Sequence, residues 1–395
     1  MNDLIIEMLN TYKSCVDVII PTLGKNLDYL HDSIKSVINQ EETNKILLCI
    51  DNKSMNKTEI KSSVECYSSD KLSIVNNEFN GIGATRNEGL KISTAPYVAM
   101  QDDDDVSEKN RFSKQLKLLL DHKAQICFSA LKLFEKDNFE DLQPEKTHEA
   151  ADGFFWKESL ILGNTLNNAT LFSENFYRKE NIYYPLSKTE DYCLWLSIAS
   201  SKKIYTTSEY LYKYRQHDKQ ITKNWMWSEV YAEVYRYWIE FYDEVEFPPE
   251  INPKEVFNMV FNLRDNYSTS VVKDFVSVVE FLLKNLLESE QKSEIRYIDF
   301  LIMRVSEVMS SSEAFLKSIE FFEKKTLDDR NYIFEIFMRS NNQLSELKRS
   351  YNNLGRVSHQ IRLDNEKLLI DNIKLNKKII TRIINKALRL RDVTP

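Results

Sequence analysis

No stretch of this 395-residue chain approaches 18 uninterrupted apolar residues, so the sequence offers no candidate for a membrane-spanning helix. Its start, Met1-Asn2-Asp3-Leu4-Ile5-Ile6-Glu7, lacks the basic segment and long apolar core of an export signal. Cysteine is scarce: Cys15, Cys49, Cys66, Cys127 and Cys193 are odd in number, scattered and without CxxC spacing. That pattern excludes a disulfide framework or a zinc cluster and reads as reduced thiols, packed as small hydrophobes, in a cytoplasmic protein. A net charge of −7 excludes general nucleic-acid binding. There is no GxxxxGK[ST] phosphate loop, which excludes the usual P-loop enzymes. The segment Gly81-Ile82-Gly83-Ala84-Thr85-Arg86 lacks a third glycine and follows a third strand rather than a first, which argues against a dinucleotide-dependent oxidoreductase.

What is present is the composition of a folded protein, 42% hydrophobic and 29% charged. Val16 to Ile20 form an apolar run, broken by Asp17 and ended by Pro21-Thr22-Leu23-Gly24, the pattern of a buried strand entering a loop. Leu30, Ile34, Val37 and Ile38 recur at helical spacing between Leu27 and Gln40, and Ile46-Leu47-Leu48-Cys49-Ile50 reads as a second strand ending at Asp51-Asn52. A third strand (Leu72 to Val75), a helix opened by Gly81 to Asn87 and a fourth strand (Tyr97 to Met100) continue the alternation. The expected fold class is α/β, a Rossmann-like, mostly parallel sheet with helices on both faces. Ligands in such sheets bind beyond the carboxyl ends of the strands. The loops after Ile20, Ile50 and Met100, carrying Thr22, Asp51 and Asp102 to Asp105, are therefore expected to converge on one cleft.

Composition changes near Trp225, beyond which Gly355 is the only glycine. The expected domains are a catalytic α/β domain over 1–224, a helical domain over 225–340 and a coiled coil over 341–395. Trp225, Trp227, Tyr231, Tyr235, Trp238 and Tyr242 sit at the spacing of a packed amphipathic helix, and Pro248, Pro249 and Pro253 then break the chain. Leu347, Leu354, Ile361, Leu368 and Leu375 recur every seven residues, beside a column containing Asn365 and Asn372. Such a seam points to a homo-oligomer whose register the buried asparagines fix. After it, Lys374, Lys377, Lys378, Arg382, Lys386, Arg389 and Arg391 interleave with Ile379, Ile380, Ile383, Ile384 and Leu388. This basic amphipathic end suits an anionic membrane surface, which would make the protein peripheral on the inner face of the cell membrane.

Four consecutive aspartates directly after a buried strand repel one another unless a cation compensates them. Hard carboxylate oxygens suit Mn²⁺ or Mg²⁺, which complete their shells with water and ligand phosphate oxygens. Six short segments occur in a telling order: Val18-Ile19-Ile20-Pro21-Thr22, Ile50-Asp51-Asn52-Lys53-Ser54, Gly83-Ala84-Thr85-Arg86-Asn87-Glu88-Gly89, Tyr97-Val98-Ala99-Met100-Gln101-Asp102-Asp103-Asp104-Asp105, Thr189-Glu190-Asp191-Tyr192-Cys193-Leu194-Trp195 and Tyr214-Arg215-Gln216-His217. In these segments, over Val16 to Thr222, the chain resembles the family 2 glycosyltransferases of the GT-A fold, of the bacterial surface-polysaccharide type. The resemblance implies an inverting transfer of a sugar from a nucleotide diphosphate sugar, a UDP-sugar foremost, to an acceptor hydroxyl. It assigns Asp102 and Asp104 to a DxD pair holding the metal, with His217 beside them, Asp51 to the nucleobase and Asp191 to the catalytic base. Pro21, Thr22, Arg86 and Asp103 join the donor site. Trp156, Asn168 and Glu190 are candidates for the acceptor side, the acceptor being a glycan or a lipid-linked glycan.

Three departures from the family pattern stand out. Asn52-Lys53-Ser54 replaces a second acid and glycine after Asp51, Gln101 precedes the acidic run where an apolar residue is usual, and Ser197 replaces an arginine. The competing readings are a non-catalytic oligomeric scaffold on a degenerate transferase domain, and a retaining or phosphate-forming nucleotidyl or sugar-phosphate transferase with the same metal-diphosphate logic.

Overall fold

A computed structural model describes residues 13–67, 70–136, 142–144, 152–217, 227–261, 263, 268–288 and 304. The chain divides into two compact units, one reaching to Val245 and the other beginning at Glu246.

The first unit is built on inner strands that are largely apolar because both faces are covered. β1 (Val16–Thr22) is buried at every residue and lies between β2 (Thr43–Ile50) and β4 (Tyr97–Met100), parallel to both, and β3 (Leu72–Asn76) extends the parallel set beyond β2. Near-continuous hydrophobic strands are the mark of such a two-sided sheet. The break at Asp17 has a structural cause. Its buried carboxylate accepts hydrogen bonds from Ser93 Oγ (2.8 Å), the backbone N–H groups of Thr94 (2.8 Å) and Ala95 (3.0 Å), and Asn44 Nδ2 (2.8 Å), fixing the turn into β4.

Between the strands run α1 (Leu27–Ile38), α2 (Lys57–Val64), α3 (Ile82–Ile92) and α4 (Arg111–His122). Asn26 caps α1, its side chain accepting from the Asp28 and Tyr29 N–H groups, and Leu30, Ile34 and Val37 face the core.

Beyond β4 the sheet departs from the mostly parallel arrangement that the sequence leads one to expect. Short β9 (Phe172–Glu174) runs antiparallel between β4 and β6 (Ile126–Glu135). β10 (Ile204–Gln216) is parallel to β6, and β5 (Val106–Ser107) closes the edge antiparallel to β10. β7 (Gln143–Pro144) and β8 (Gly153–Phe154) add antiparallel pairs to β6 and β10. The described order is β3-β2-β1-β4-β9-β6-β10-β5, a mixed α/β, Rossmann-like sheet. Hydrophobic alternation signals each strand but not its direction, which pairing across the sheet decides.

Two later helices complete this unit, α6 (Glu190–Ile198) and α7 (Trp227–Glu244), after the single turn α5 (Tyr177–Glu180). Of the aromatic stripe, Trp225 lies outside the described residues, while Trp238 of α7 is fully buried, donates through Nε1 to the Ile161 carbonyl (3.0 Å) and stacks on the buried Tyr242. In the second unit, α8 (Pro253–Val260) begins with proline at its first turn and an Asn252 cap. Its buried Val256, Phe257 and Val260, with Phe275, Val278 and Leu282 of α9 (Thr269–Glu288), form that unit's apolar interior. The coiled coil and basic end expected over 341–395 lie outside the described residues.

Candidate active site

Six segments meet at the carboxyl end of the parallel strands: the loops after β1 and β2, the start of α3, the turn after β4, the loop before α6 and the end of β10. They enclose a cavity of ≈ 370 Å³ whose wall includes Pro21, Thr22, Asp51, Asp103, Asp104 and His217. The sequence singled out these six. The wall also carries Lys25, Tyr29, Lys53 and Lys188, which it did not.

The acidic turn is held from every side. Ser33 Oγ donates to the Asp102 carbonyl (2.8 Å), and the Asp102 N–H donates to Tyr212 Oη (3.1 Å). Thr22 Oγ1 donates to the Asp103 carboxylate, and His217 Nε2 donates to Asp104 Oδ2 (2.8 Å). Asp105 is fully buried and accepts the Arg215 N–H (2.7 Å), so the fourth aspartate belongs to the scaffold. Arg215, also fully buried, donates through Nε to the Asp104 carbonyl (2.7 Å), pairs through Nη2 with Asp32 (3.0 Å) and lies 4.0 Å over the Tyr29 ring. This arginine fixes the turn, a role visible only once β10 is brought alongside it. Gln101 explains its own departure from the family pattern. Its Nε2 donates to the Asp105 carbonyl (3.0 Å), while Oε1 accepts from Ser107 Oγ (2.6 Å) and Arg111 Nη1 (3.3 Å), stapling the far end of the turn.

Asp51 closes the opposite wall. Oδ1 accepts the Lys53 N–H (2.7 Å), and Oδ2 accepts the Gly81 N–H (2.8 Å) and Thr85 Oγ1 (3.0 Å), tying the β2 loop to the start of α3. The neighbouring Ser54 hydroxyl donates to the Leu23 carbonyl (2.9 Å), so the unusual Asn-Lys-Ser segment still joins the first two loops.

Arg86 is buried at 3% exposure and does not line the cavity. Its guanidinium pairs with Asp102 Oδ1 (3.0 Å) and with the Glu190 carboxylate, linking the acidic turn to the helix that begins with Glu190-Asp191. Burial works against its charge, but Asp102 and Glu190 outweigh that and hold its pKa above the ordinary value. The linkage requires α3 to approach the α6 loop closely. A Cβ on Gly83 would lie 2.8 Å from the Pro185 carbonyl oxygen and 3.0 Å from Glu190 Cβ, which only glycine allows.

Burial outweighs the pull of the guanidinium on its two carboxyl partners, Asp102 and Glu190, and raises both. Burial, opposed by Arg86 and aided by Asp191, pushes Glu190 up to about 8. Burial and then Asp104 push Asp103 up to about 7. The folded state thus binds a proton at Glu190 more tightly than the unfolded chain, whose ordinary value is 4.5. Glu190's contribution to stability is complete below pH 4.5 and lost as pH rises through about 8. Urea midpoints measured from pH 5 to 8 are expected to fall with pH, with a shallower fall in Glu190→Gln; equal slopes in the two proteins would refute this assignment.

Asp191 is half-buried. Oδ1 accepts the Tyr192 N–H (2.7 Å) and Oδ2 accepts from Asn164 Nδ2 (3.2 Å). Trp156 is buried at 3% exposure, and Asn168 is buried with its Oδ1 accepting from Tyr184 Oη (2.7 Å). Neither lines the cavity, and Tyr184 instead lies under the Arg86 guanidinium.

No three His, Cys, Asp or Glu side chains form a ready metal cage among the described residues. The donor set nevertheless fits a hard divalent cation, because Asp104 and His217 present an oxygen and a nitrogen side by side on the wall. Mg²⁺ in particular is usually held by one or two carboxylates together with substrate phosphates and water.

Comparison with known proteins bears on this geometry. The chain is similar to an uncharacterized glycosyltransferase, MJ1057, of Methanocaldococcus jannaschii (27% identical over 210 residues, 51% of this chain and 71% of that protein). It is also similar to the UDP-Glc:alpha-D-GlcNAc-diphosphoundecaprenol beta-1,3-glucosyltransferase WfgD of Escherichia coli (24% identical over 240 residues, 59% and 87%). The crystal structure of S. aureus TarS 1-349 in complex with UDP-GlcNAc aligns with a TM-score of 0.47 at 15% identity, covering 75% of this chain and 81% of that one. The family described as glycosyl transferase family 2 matches residues 17–184, the segment that supplies the parallel strands, the acidic turn and Arg86. Over that segment the chain is similar to the family 2 glycosyltransferases.

Proposed function

We propose that the protein transfers a sugar, with inversion, from a nucleotide diphosphate sugar to an acceptor hydroxyl. The observation that carries this reading is the single cavity in which Thr22, Asp51, Asp103, Asp104 and His217 share a wall. A UDP-sugar is the donor we favour, and the acceptor is a lipid-linked glycan of surface-polysaccharide synthesis; the name of the E. coli relative, which specifies a UDP-Glc donor and a diphosphoundecaprenol acceptor, supports both.

The loops after β1 and β2 bind the nucleotide, with Asp51 fixing the turn against which the base rests. Mn²⁺ or Mg²⁺, held by Asp104 with His217 and Asp102, would neutralise the charge that develops on the departing diphosphate. Asp191, on the first turn of α6, takes the proton of the acceptor hydroxyl as the hydroxyl attacks the anomeric carbon opposite the leaving group. One displacement with one base inverts that centre. Arg86 holds Glu190, and with it the base-bearing helix, at a fixed place relative to Asp102.

Calorimetric titration with UDP, GDP and CDP tests the donor site. One diphosphate, UDP, is expected to bind in the presence of Mn²⁺. In Asp104→Ala or with chelator, affinity is expected to fall by about 10- to 100-fold, the usual cost of losing a metal ligand or its close partner. Absence of binding by any diphosphate under any metal condition would overturn the enzyme reading in favour of a non-catalytic scaffold.

A further inference from the structure

A carboxylate on the first turn of a helix rotates broadly about its terminal torsion unless both oxygens are held. At Asp191 each oxygen meets a donor: the Tyr192 N–H reaches Oδ1 (2.7 Å) and Asn164 Nδ2 reaches Oδ2 (3.2 Å). The first donor comes with the helix itself. The second arrives from 27 residues earlier in the chain, and the structure there fixes how it is presented.

Lys157–Leu162 form a 3₁₀ helix whose Leu160, Ile161 and Leu162 are fully buried. Its carbonyls are clamped from two later helices, Tyr192 Oη of α6 donating to Leu160 and Trp238 Nε1 of α7 to Ile161. Gly163 then turns the chain at φ 136°, a conformation that favours glycine, and its N–H returns to the Leu160 carbonyl (3.2 Å). Asn164 follows directly. Its Oδ1 accepts the Leu166 N–H (3.2 Å), so the amide is oriented with Nδ2 as the group that meets Asp191. Because the clamp runs through Tyr192, the neighbour of Asp191, donor and carboxylate are both referred to the same turn of α6.

We infer that Asn164 is the positioning residue for Asp191, setting the plane of the carboxylate that takes the acceptor proton. The inference rests on the transfer reading. An ionised carboxylate has about four lone-pair sites, so these two bonds leave it able to accept a proton. An amide suits the task because it is neutral, whereas a cation in its place would lower the basicity of the group it orients. Asn164 is not on the wall of the donor cavity, so its effect belongs to the transfer step and not to donor binding.

The test is donor hydrolysis, with water in the acceptor's place, followed as UDP release from UDP-glucose and UDP-N-acetylglucosamine with Mn²⁺. Enzyme is kept in excess so that slow variants remain readable. Asn164→Ala and Asn164→Asp are expected to lower the rate by about 10- to 100-fold, the scale on which misplaced catalytic groups lose rate, with UDP affinity within about twofold of wild type. Asn164→Asp retains an oxygen for the Leu166 N–H and loses only the donor to Asp191, which separates positioning from loop structure. In an Asp191→Asn background, Asn164→Ala is expected to cost less than about twofold more, because there is no base left to position. Loss of the same factor in both backgrounds, a rate within about threefold of wild type in either single variant, or loss of UDP binding in both would overturn the assignment while wild-type turnover leaves the transfer reading intact. An Asp191→Asn protein as fast as wild type removes the base, and a wild type that neither binds UDP nor releases it removes the transfer reading; the role of Asn164 falls with either.

Discussion

Asp191→Asn is expected to slow sugar transfer by about 10³-fold, within the range that a positioned general base contributes, while leaving UDP affinity within about twofold. The substitution keeps the shape of the side chain and an oxygen for the Tyr192 N–H at the start of α6, so the fold should survive. What it removes is the carboxylate proposed to take the acceptor proton. Because the cavity proposed for the donor is walled by other residues, the loss should appear in kcat and not in donor KM. Single-turnover kinetics with saturating donor would separate the two. A rate within tenfold of wild type would dismiss Asp191 as the base. Glu190 would be a poor replacement candidate, since it is buried and already committed to Arg86.

The second large effect is at Arg86. Arg86→Met removes the guanidinium shared by Glu190 and Asp102 and strands two carboxylates in the interior. Breaking a buried pair in this way costs about 3–5 kcal/mol, measurable as a drop in urea midpoint. Arg86→Lys retains charge but offers a single ammonium where two separated carboxylates need a fork. It should therefore recover part of the stability and little of the activity. A double variant with Glu190→Gln supplies the discriminating readout, because the two residues are in contact and their effects should be less than additive. Full additivity, or an Arg86→Met protein as stable as wild type, would show that the linkage between the acidic turn and α6 is not what Arg86 provides.

The two expectations describe different kinds of residue. In the proposed transfer Asp191 would act on the reacting hydroxyl, whereas Arg86 would position the groups that do. The resemblance seen in the sequence placed Arg86 with the donor. The structure instead buries it behind the wall, where Asp102, Glu190 and the Tyr184 ring surround it.

Much of the parallel half of the fold was legible from the chain itself. Strands β1, β2 and β4 are short, mostly buried runs rich in aliphatic residues, as a strand covered on both faces must be, whereas β3 alternates buried or partly buried with exposed positions. Thr22, Asp51 and the acidic run could be placed on one edge because alternating strands and helices put successive loops at the same end of the sheet. The sequence therefore determined the alternation of elements, the end at which the cavity forms, and the acidic and histidine groups on its wall. Strand direction beyond β4, the scaffold role of Asp105, the turn-fixing role of Arg215 and the fork of Arg86 were decided by tertiary structure. Each depends on partners far along the chain, 110 residues for Asp105 with Arg215 and 104 for Arg86 with Glu190. Local periodicity and spacing carry no information about which distant groups meet; close packing of α3 on the α6 loop and of β10 beside the acidic turn supplies it.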